Sequence, residues 1–347
     1  MQETIPWAEV RNDPEPRAGV RFTDLTLLDG GVVPNDRFFV LQQRDIPQVD
    51  ATGFELSFSG EIGREAALTL DEIRSLDKVE TTVCFECAGN GPAGMHGLVG
   101  NARWAGTRLG PLLEGLGIAP SAREVVFYGA DNAEERLRGQ TYATRFARSL
   151  PIRMALDENV LLAYEMNGDP LPREHGFPLR LIVPGWYGVA QVKWLERIEI
   201  VPYRFMGWFM AKDYVTLRGV EVNGRIEHRA TSVGRHQIKS VITRVTRDSS
   251  GTHTIHGLAW SDGSPIETIE IAVDDGPFRA ARIEPGVSPY AWSAFHLEWS
   301  DAARGSHRLV SRARGRSGIQ PTEDEDLRYK ATPWENNGQV VRAIELP

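Results

Sequence analysis

The sequence is poor in cysteine, in long apolar runs and in positive charge, and each shortage excludes a class of protein. Two cysteines among 347 residues cannot form the disulfide framework of a small secreted domain. No stretch approaches the roughly 18 consecutive apolar residues of a membrane helix. The net charge of −8 argues against nucleic acid as a partner, because binding that polyanion requires a basic surface.

The beginning of the sequence also lacks an export signal. Residues 1–13 are polar and acidic, without the positively charged start and apolar centre of a signal peptide. We therefore expect a cytoplasmic protein with no membrane partner, or a periplasmic one if such a signal has been removed.

The composition is that of an ordinary folded protein, with 41% apolar and 25% charged residues. At 347 residues the chain is long for a single core, since domains usually contain about 100 to 200 residues. Residues 1–35 contain many Pro, Asp and Gly residues and predict an arm over the surface. We expect two domains after this arm, at 36–217 and 218–347.

The pattern of the first domain predicts a mixed α+β fold. Residues 54–60 alternate apolar and polar side chains as a half-exposed strand does, and 124–131 predict a buried strand. Thr69 and Glu72 have the spacing of a capping box at the start of a short helix. A second helical stretch is expected near 144–156. Short strands and helices without regular βαβ alternation favour the α+β class.

Beyond residue 218 the pattern changes to short strands separated by Gly, Asp, Ser and Pro turns. Runs such as 238–245, 252–260 and 307–314 have the length and spacing that are typical of an all-β sandwich. We therefore predict a β-sandwich for the second domain.

The most informative stretch is 82–90, Thr-Val-Cys-Phe-Glu-Cys-Ala-Gly-Asn. Its apolar, β-branched start predicts a buried strand, and its glycine allows the backbone to approach a ligand closely. This strand would present Cys87 at its end, where a thiolate is a soft ligand for a thiophilic metal. Cys84 would point to the opposite face and be a small buried hydrophobe. Zinc requires four ligands, and no second cysteine pair exists to complete such a site.

Together with 101–109, Asn-Ala-Arg-Trp-Ala-Gly-Thr-Arg-Leu, this stretch resembles the sulfite oxidase family of molybdopterin enzymes, in particular its haem-free bacterial type. The resemblance extends over roughly residues 36–345. It implies that Cys87 binds molybdenum and that the cofactor is molybdenum-molybdopterin. Through 257–261 and 273–276 it also implies that the C-terminal sandwich is immunoglobulin-like.

Three cationic side chains near strand ends predict an anion site. His175 and Arg180 flank the entry of a strand, and Lys193 lies near the start of the next. Each of them alone is more often a solvated or internally satisfied residue. The resemblance implies that the three hold the terminal phosphate and pyran ring of molybdopterin, because a phosphate attracts forked or point cations. It also implies that Asp131 accepts hydrogen bonds from the pterin, with an ordinary strand-end turn residue as the alternative.

The resemblance implies further contacts with the cofactor at Phe39, Gln43, Asn90, Gln191 and Val192. It also implies a catalytic role for Tyr214, which lies in an element similar to the Arg-Asp-Tyr of the family. The phenol stays protonated at neutral pH and can donate a hydrogen bond to a metal oxo group or to bound substrate. Without the resemblance, the aromatic neighbours of Tyr214 would favour a core or interface residue.

The sequence departs from the family where sulfite oxidases place three pocket arginines. Uncharged residues occupy these positions: Leu41, Pro92 and Asn337. Arg44 and Arg103 are candidates to restore part of the charge. His96, on a shortened loop, is either a replacement polar group or a solvated residue. Because a strongly hydrated anion needs charge-assisted hydrogen bonds in place of water, we expect poor sulfite oxidation.

We therefore expect a molybdenum oxidoreductase that couples oxygen-atom transfer to two-electron transfer, with an altered anion pocket. The alternatives are a genuine sulfite oxidase or dehydrogenase, a catalytically silent protein that binds molybdopterin, and a zinc or thiol-redox protein built on Cys84 and Cys87. The expected partners are a small-molecule oxygen-atom donor or acceptor and a separate electron-transfer partner. The resemblance also implies a homodimer through the sandwich, with a monomer as the alternative.

Overall fold

The computed structural model of the protein describes residues 3–8, 19–42, 44–92 and 96–347. Its strands are, in chain order, β1 (Glu3–Ile5), β2 (Val20–Arg21), β3 (Val40–Leu41), β4 (Glu55–Gly60), β5 (Ala66–Thr69), β6 (Lys78–Glu86), β7 (Val99–Arg108), β8 (Glu124–Leu137), β9 (Gln140–Pro151), β10 (Leu161–Met166), β11 (Asp169–Pro170), β12 (Arg180–Ile182), β13 (Leu195–Val201), β14 (Val215–Val222), β15 (Arg225–Ser232), β16 (Lys239–Arg247), β17 (His253–Trp260), β18 (Ile266–Val273), β19 (Arg279–Ala280), β20 (Arg282–Glu284), β21 (Ser293–Trp299), β22 (Gly305–Gly315), β23 (Gly318–Ile319) and β24 (Val341–Leu346). Its α-helices are α1 (Leu70–Arg74), α2 (Leu109–Gly115), α3 (Ile152–Ala155), α4 (Trp208–Ala211) and α5 (Glu323–Leu327). None of the helices in these ranges has the length and hydropathy that crossing a membrane requires.

Two five-stranded sheets form the N-terminal part of the chain. One has the strand order β5-β4-β13-β8-β9, and the other has β11-β10-β7-β6 with β12 paired to β10. Apolar side chains of both sheets, including Leu56, Val125 and Leu162, pack with those of α1 and α2 in one core. The predicted capping box starts α1, since the Thr69 hydroxyl accepts from the Glu72 N–H and the Glu72 carboxylate accepts from Thr69.

The C-terminal part is a sandwich of two sheets. Strands β1-β16-β17-β21-β20 form one sheet, and β19-β18-β22-β23, with β24 paired to β22, form the other. Ile242, Ile269 and Leu309 share its core and are fully buried. Because β1 pairs antiparallel with β16, residues 3–5 of the predicted surface arm are an edge strand of this sandwich.

Two segments differ from the sequence-based expectation. The prediction of a helix near 144–156 is wrong for most of that segment, because β9 pairs there with β8 and only Ile152–Ala155 is helical. Pairing with β8 supplies the backbone hydrogen bonds of this segment and overrides its weak local preference for helix. The boundary expected between 217 and 218 falls inside β14, which forms a two-stranded hairpin with β15.

Candidate active site

Strand β6 ends one residue before Cys87, and the chain then turns out of the sheet. The Cys87 N–H donates to the Leu98 carbonyl at 2.9 Å, and the Asn90 N–H donates back to the Cys87 carbonyl at 2.9 Å. The Asn90 side chain closes the turn, because its amide donates to Glu86 and its carbonyl accepts from the Leu98 N–H, each at 3.0 Å. The turn therefore holds the Cys87 thiol in one orientation at the end of a buried strand.

Both cysteines are free thiols, and both are buried. The Cys87 side chain is 6% exposed, and burial is the main cause that raises its pKa to about 11. Cys84 packs in a hydrophobic core, where burial raises its pKa well above the ordinary value. Its thiol therefore stays uncharged, as expected of a small buried hydrophobe. In the part of the chain that the structure describes, no group of three or more His, Cys, Asp or Glu side chains is placed to hold a metal ion. The zinc alternative therefore has no ligand set among these residues.

A cavity opens beside the Cys87 thiol. Its lining residues are Phe38, Phe39, Val40, Leu41, Gln42, Arg44, Phe85, Cys87, Asp131, Phe146, Glu174, His175, Arg180, Gly188, Val189, Gln191, Lys193, Trp194 and Tyr214. The wall combines aromatic rings with several cationic groups, which suits a flat ligand that carries negative charge. The cavity thus brings the predicted thiol ligand, the predicted anion site and the predicted catalytic tyrosine together.

Arg180 is the most buried cation of the cavity, with 4% of its surface exposed. Its guanidinium donates to the His175 carbonyl at 2.7 Å and to the Gln191 carbonyl at 3.1 Å. It also lies 5.0 Å and 4.7 Å from the ring centroids of Phe85 and Trp104. Burial lowers the pKa of Arg180 to about 9, and its buried Nε atom has no hydrogen-bond partner among the described residues.

Lys193 and His175 lie beside this guanidinium. The Lys193 ammonium donates to the Glu174 carbonyl at 3.0 Å, and burial together with the charge of Arg180 lowers its pKa to about 7. The His175 Nε2 atom is 3.3 Å from the Asn35 carbonyl. Burial and the two neighbouring cations lower the pKa of His175 to about 3, so its imidazole is neutral at pH 7. The site therefore offers the Arg180 cation, a lysine that a bound anion would keep protonated, and one neutral hydrogen-bonding ring.

Asp131 lies on the cavity wall, where the pairing of β8 with β9 is interrupted. Its Oδ1 atom is buried and no described residue bonds to it, and burial raises the pKa of the carboxyl to about 6. No ion pair among the described residues includes Arg180 or Lys193. The cavity therefore combines unmatched positive charge with unpartnered buried polar atoms, which is unusual unless a ligand completes the site.

Tyr214 follows α4 and has a backbone φ of 52°, a left-handed conformation that is strained for a bulky residue. Its ring stacks on Trp334 with a centroid distance of 4.7 Å and an interplanar angle of 26°. Trp334 also covers Gly89, where a side chain would begin only 3.2 Å from the indole ring. The phenol is thereby fixed on the cavity that Cys87 lines.

The other predicted cofactor contacts are placed unequally. Phe39 lines the cavity. Gln191 does so too, but its amide is occupied by hydrogen bonds to neighbouring backbone groups. The side chain of Val192 packs in the hydrophobic core and does not reach the cavity, and that of Asn90 holds the cysteine turn. Gln43 lies outside the described residues.

Comparisons with known proteins identify the family of the chain. Residues 43–209 match the family described as "Oxidoreductase molybdopterin binding domain". Sulfite oxidase from Arabidopsis thaliana is 30% identical over 338 residues, which cover 87% of this chain and 85% of that protein. The chain belongs to the sulfite oxidase family. This confirms the predicted family, its oxidoreductase class and its molybdenum-molybdopterin cofactor.

Two further relatives extend the comparison. Mitochondrial sulfite oxidase from Homo sapiens is 33% identical over 273 residues, which are 72% of this chain and 49% of that protein. The chain thus spans about half the length of its mammalian relatives. The crystal structure of the sulfane dehydrogenase SoxCD from Paracoccus pantotrophus matches with a TM-score of 0.81 and 25% identity, covering 100% of this chain and 90% of that chain. This match includes both parts of the fold and confirms the predicted fold class.

The cavity of this family member fits molybdopterin by its own chemistry. Molybdopterin presents pterin ring nitrogens and a phosphate, which need donors, acceptors and positive charge. The buried Arg180 Nε and Asp131 Oδ1 atoms have no hydrogen-bond partner among the described residues, where Arg180 and Lys193 also have no ion-pair partner. Cys87 supplies the free thiol that a molybdenum ligand requires.

The three positions at which the family has pocket arginines are uncharged in this chain and differ in exposure. Leu41 lines the cavity, so an apolar side chain faces the space. Asn337 is buried, and its amide donates to the Ile238 carbonyl at 3.2 Å. Pro92 is exposed and cannot donate a hydrogen bond.

The proposed substitutes for these arginines restore little charge. Arg44 lines the cavity but is paired with Glu135. Arg103 is half-exposed, pairs with Glu80 at 3.3 Å and does not line the cavity. His96 is 8% exposed rather than solvated, and burial with two neighbouring cations lowers its pKa well below the ordinary value, so it is neutral.

Sequence reasoning missed four residues around the cysteine turn and the tyrosine. Arg148 is buried near Tyr214, and its guanidinium donates to the Phe209 and Val233 carbonyls. Nothing in its local sequence distinguishes it from a surface arginine. Trp334 has no local signal either. Glu86 did carry a signal, because a carboxylate inside an apolar strand requires a buried partner, and that partner is Lys239.

Proposed function

We propose that the protein is a molybdenum oxidoreductase that moves one oxygen atom and two electrons between a small substrate and water. The observation that supports this proposal is a cavity that contains the Cys87 thiol together with Arg180 and Lys193, neither of which has an ion-pair partner among the described residues. A protein that needed only a stable fold would gain nothing from burying these charges without partners.

Each cavity residue has a distinct role in this proposal. The Cys87 thiolate is the protein ligand of the metal, and Arg180 and Lys193 bind the phosphate of the cofactor. Neutral His175 hydrogen-bonds to the cofactor, and the unpartnered Asp131 Oδ1 accepts from its pterin ring. The bound molybdenum supplies the exchange of an oxygen atom with a change of two in its oxidation state.

Tyr214 orients the substrate in this proposal. Stacking on Trp334 fixes the ring, so that the phenol O–H is held rather than free to rotate into solvent. The buried guanidinium of Arg148 lies near enough for its charge to interact with the phenol. A protonated phenol in this position donates a hydrogen bond to an oxygen of the substrate.

We further propose that the substrate is less charged than sulfite, for example a sulfoxide or another neutral sulfur compound. The names of the relatives, sulfite oxidase and sulfane dehydrogenase, support a sulfur-centred reaction. Leu41, Asn337 and Pro92 leave an anion without three charge-assisted hydrogen bonds, each of which is worth roughly 1.5 to 3 kcal/mol. Loss of even ~4 kcal/mol weakens binding about a thousandfold.

The remaining parts of the proposal concern partners and location. Electrons leave to a separate acceptor, the sandwich forms a homodimer, and the protein works in the cytoplasm unless it is exported. Sedimentation at working concentration tests the dimer, and a monomer would refute that part alone.

The test of the main proposal is analysis of the purified protein, followed by kinetics. We expect one molybdenum and one molybdopterin per chain, together with reduction of an artificial acceptor by a neutral sulfur compound, or the reverse reaction. Zinc in place of molybdenum, with no pterin fluorescence after oxidation, would refute the cofactor. A kcat/KM for sulfite within the usual range of about 10⁴ to 10⁸ M⁻¹s⁻¹ would refute the substrate class and leave the cofactor intact.

A further inference from the structure

The residue immediately before Cys87 is a fully buried carboxylate. Glu86 is 1% exposed, at the last position of β6. One of its oxygens accepts from the Lys239 ammonium at 2.9 Å and from the Asn90 amide at 3.0 Å. The other accepts from the Trp260 indole N–H at 2.8 Å. Three donors therefore satisfy this carboxylate without water.

Two of these donors belong to the sandwich. Lys239 and Trp260 lie opposite each other on β16 and β17, and both are 1% exposed. The Lys239 ammonium also donates to the Asn90 carbonyl at 3.3 Å and to the Asn336 carbonyl at 2.8 Å. The buried Lys239 ammonium of the sandwich therefore binds residues on both sides of Cys87 in the chain, Glu86 before it and Asn90 after it.

A buried ion pair is a costly way to join two parts of a protein. Replacing such a pair with well-packed apolar residues of similar volume is often neutral or stabilising, so adhesion alone does not explain it. What distinguishes this pair is its place, since Glu86 is covalently next to the thiol and Lys239 holds the turn that follows. Both charges lie where water cannot screen them from the Cys87 sulfur.

We propose that Glu86 and Lys239 are positioning residues that fix the cysteine turn and balance the electrostatic field at the Cys87 sulfur. The inference rests on the proposed function, because the balanced field matters only when a redox-active metal is bound to Cys87. Removing either charge leaves the other uncompensated beside the metal ligand. Removing both charges restores the electrostatic balance but loses the hydrogen bonds that hold the cysteine turn.

The surroundings of the thiol agree with this balance. After burial, which raises the pKa of Cys87, and the Gly89 N–H, which lowers it, the next causes are Glu86, which raises it, and Lys239, which lowers it. The two charges therefore act on the sulfur in opposite directions.

The experiment measures the midpoint potential of the bound metal in the holoenzyme, by redox titration followed through the electron paramagnetic resonance of its odd-electron state. Because reduction adds negative charge, Glu86→Gln, which leaves the cation, should raise the potential. Lys239→Met, which leaves the carboxylate, should lower it. The double variant should return close to the wild-type potential and still unfold at a lower temperature. Metal content is measured in every sample.

A matched control is available in the same part of the chain. Lys330 is another lysine with a buried side chain; it is paired with Asp326 at 2.5 Å, and it also donates to the Glu335 carbonyl rather than to the cysteine turn. Lys330→Met should therefore lower stability and leave the potential unchanged.

The outcomes separate this inference from the proposed function. Shifts of the same sign in both single variants, or no shift in loaded protein, would refute the field balance while the proposed function stands. A shift in Lys330→Met equal to that in Lys239→Met would show that loosening alone moves the potential, and would refute it too. Wild-type protein without molybdenum would refute both. If Lys239→Met does not fold, a potential for Glu86→Gln at or below that of wild type is sufficient to refute the balance.

Discussion

Two lysines near the active site differ in whether a carboxylate pairs with them. Lys239 is paired with Glu86 and makes two further hydrogen bonds to backbone carbonyls. Lys193, in the cavity, donates to one carbonyl and has no ion-pair partner among the described residues. Its neighbour Arg180 likewise has no carboxylate partner in the part of the chain that the structure describes. The same residue type therefore makes a structural ion pair at Lys239 and contributes to a predicted anion site at Lys193.

The difference shows how a ligand site can be recognised without its ligand. A buried charge is tolerated when it is paired, as Lys239 is, and otherwise its pKa shifts, as that of Lys193 does to about 7. Unmatched charge is thus the stronger sign of a missing partner. Burial alone would point to Lys239 rather than Lys193 as the ligand-binding residue, since Lys239 is the more buried.

The largest expected effect is at Cys87, which lines the cavity that contains Lys193 and directly follows Glu86, the partner of Lys239. Cys87→Ser should abolish turnover and metal binding, because a hydroxyl is a hard and poorly ionised donor. Metal content and dye-linked activity measure this. The matched control is Cys84→Ala, which should keep both and lose roughly 1 kcal/mol of stability. Full activity in Cys87→Ser would show that the thiol is not the ligand.

Lys239→Met should cause the next largest effect, on folding. Removing one partner of a buried pair leaves Glu86 uncompensated, which typically costs about 3 to 5 kcal/mol. Chemical unfolding of the metal-free protein measures this loss. A loss below about 1 kcal/mol, the usual contribution of an exposed pair, would contradict the distinction between the paired Lys239 and the unpaired Lys193.

Lys193→Met is the matched substitution at the lysine without an ion-pair partner among the described residues. Among the described residues this lysine forms no ion pair that its removal would break, so the metal-free protein should change in stability by less than about 1 kcal/mol. Retention of the pterin should fall instead, because one cation is lost from the phosphate site. Quantifying pterin after gel filtration tests this, and undiminished retention would remove Lys193 from the cofactor site.

How far the sequence could predict these clusters depends on the range of the contacts. His175, Arg180 and Lys193 lie within 19 residues and could be predicted from a local pattern. Glu86 and Lys239 are 153 positions apart, and no local pattern indicates their pairing. The orientation of Val192 toward the core was equally hidden, because a short irregular segment has no periodicity that tells inner from outer faces. For β9, pairing with β8 decided the structure against the local pattern.

Leu41→Arg tests the cavity by adding charge to it. A new guanidinium facing the cavity should supply one charge-assisted hydrogen bond to an anion, worth roughly 1.5 to 3 kcal/mol. We expect kcat/KM for sulfite to rise by about tenfold or more. Leu41→Met is the control for altered packing and should leave it unchanged. If both variants behave alike, the absence of arginine at this position does not limit sulfite turnover.

The smallest effect is expected at an exposed pair, which completes the comparison. In the sandwich, His307 Nδ1 lies 2.9 Å from the Asp274 carboxylate. Burial opposes the charge on His307, but its hydrogen bonds to Asp274 and to the Ala303 carbonyl prevail and raise its pKa. The Arg308 N–H and then His307 lower the pKa of Asp274. The contribution of His307 is therefore fully present below about pH 6.5 and is lost as the pH rises through its raised pKa.

Asp274 sets the other limit, since its contribution is present above about pH 4 and is lost as the pH falls through its lowered pKa. Because Asp274 is 51% exposed, solvent screens the pair and its worth is under about 1 kcal/mol. His307→Gln should thus destabilise the protein at pH 6 and have less effect at pH 8.5, with the difference reduced by salt. Unfolding midpoints of both proteins at the two pH values measure this. An equal loss at both would assign the contribution of His307 to its edge contact with Trp299, 4.9 Å between centroids, rather than to its charge.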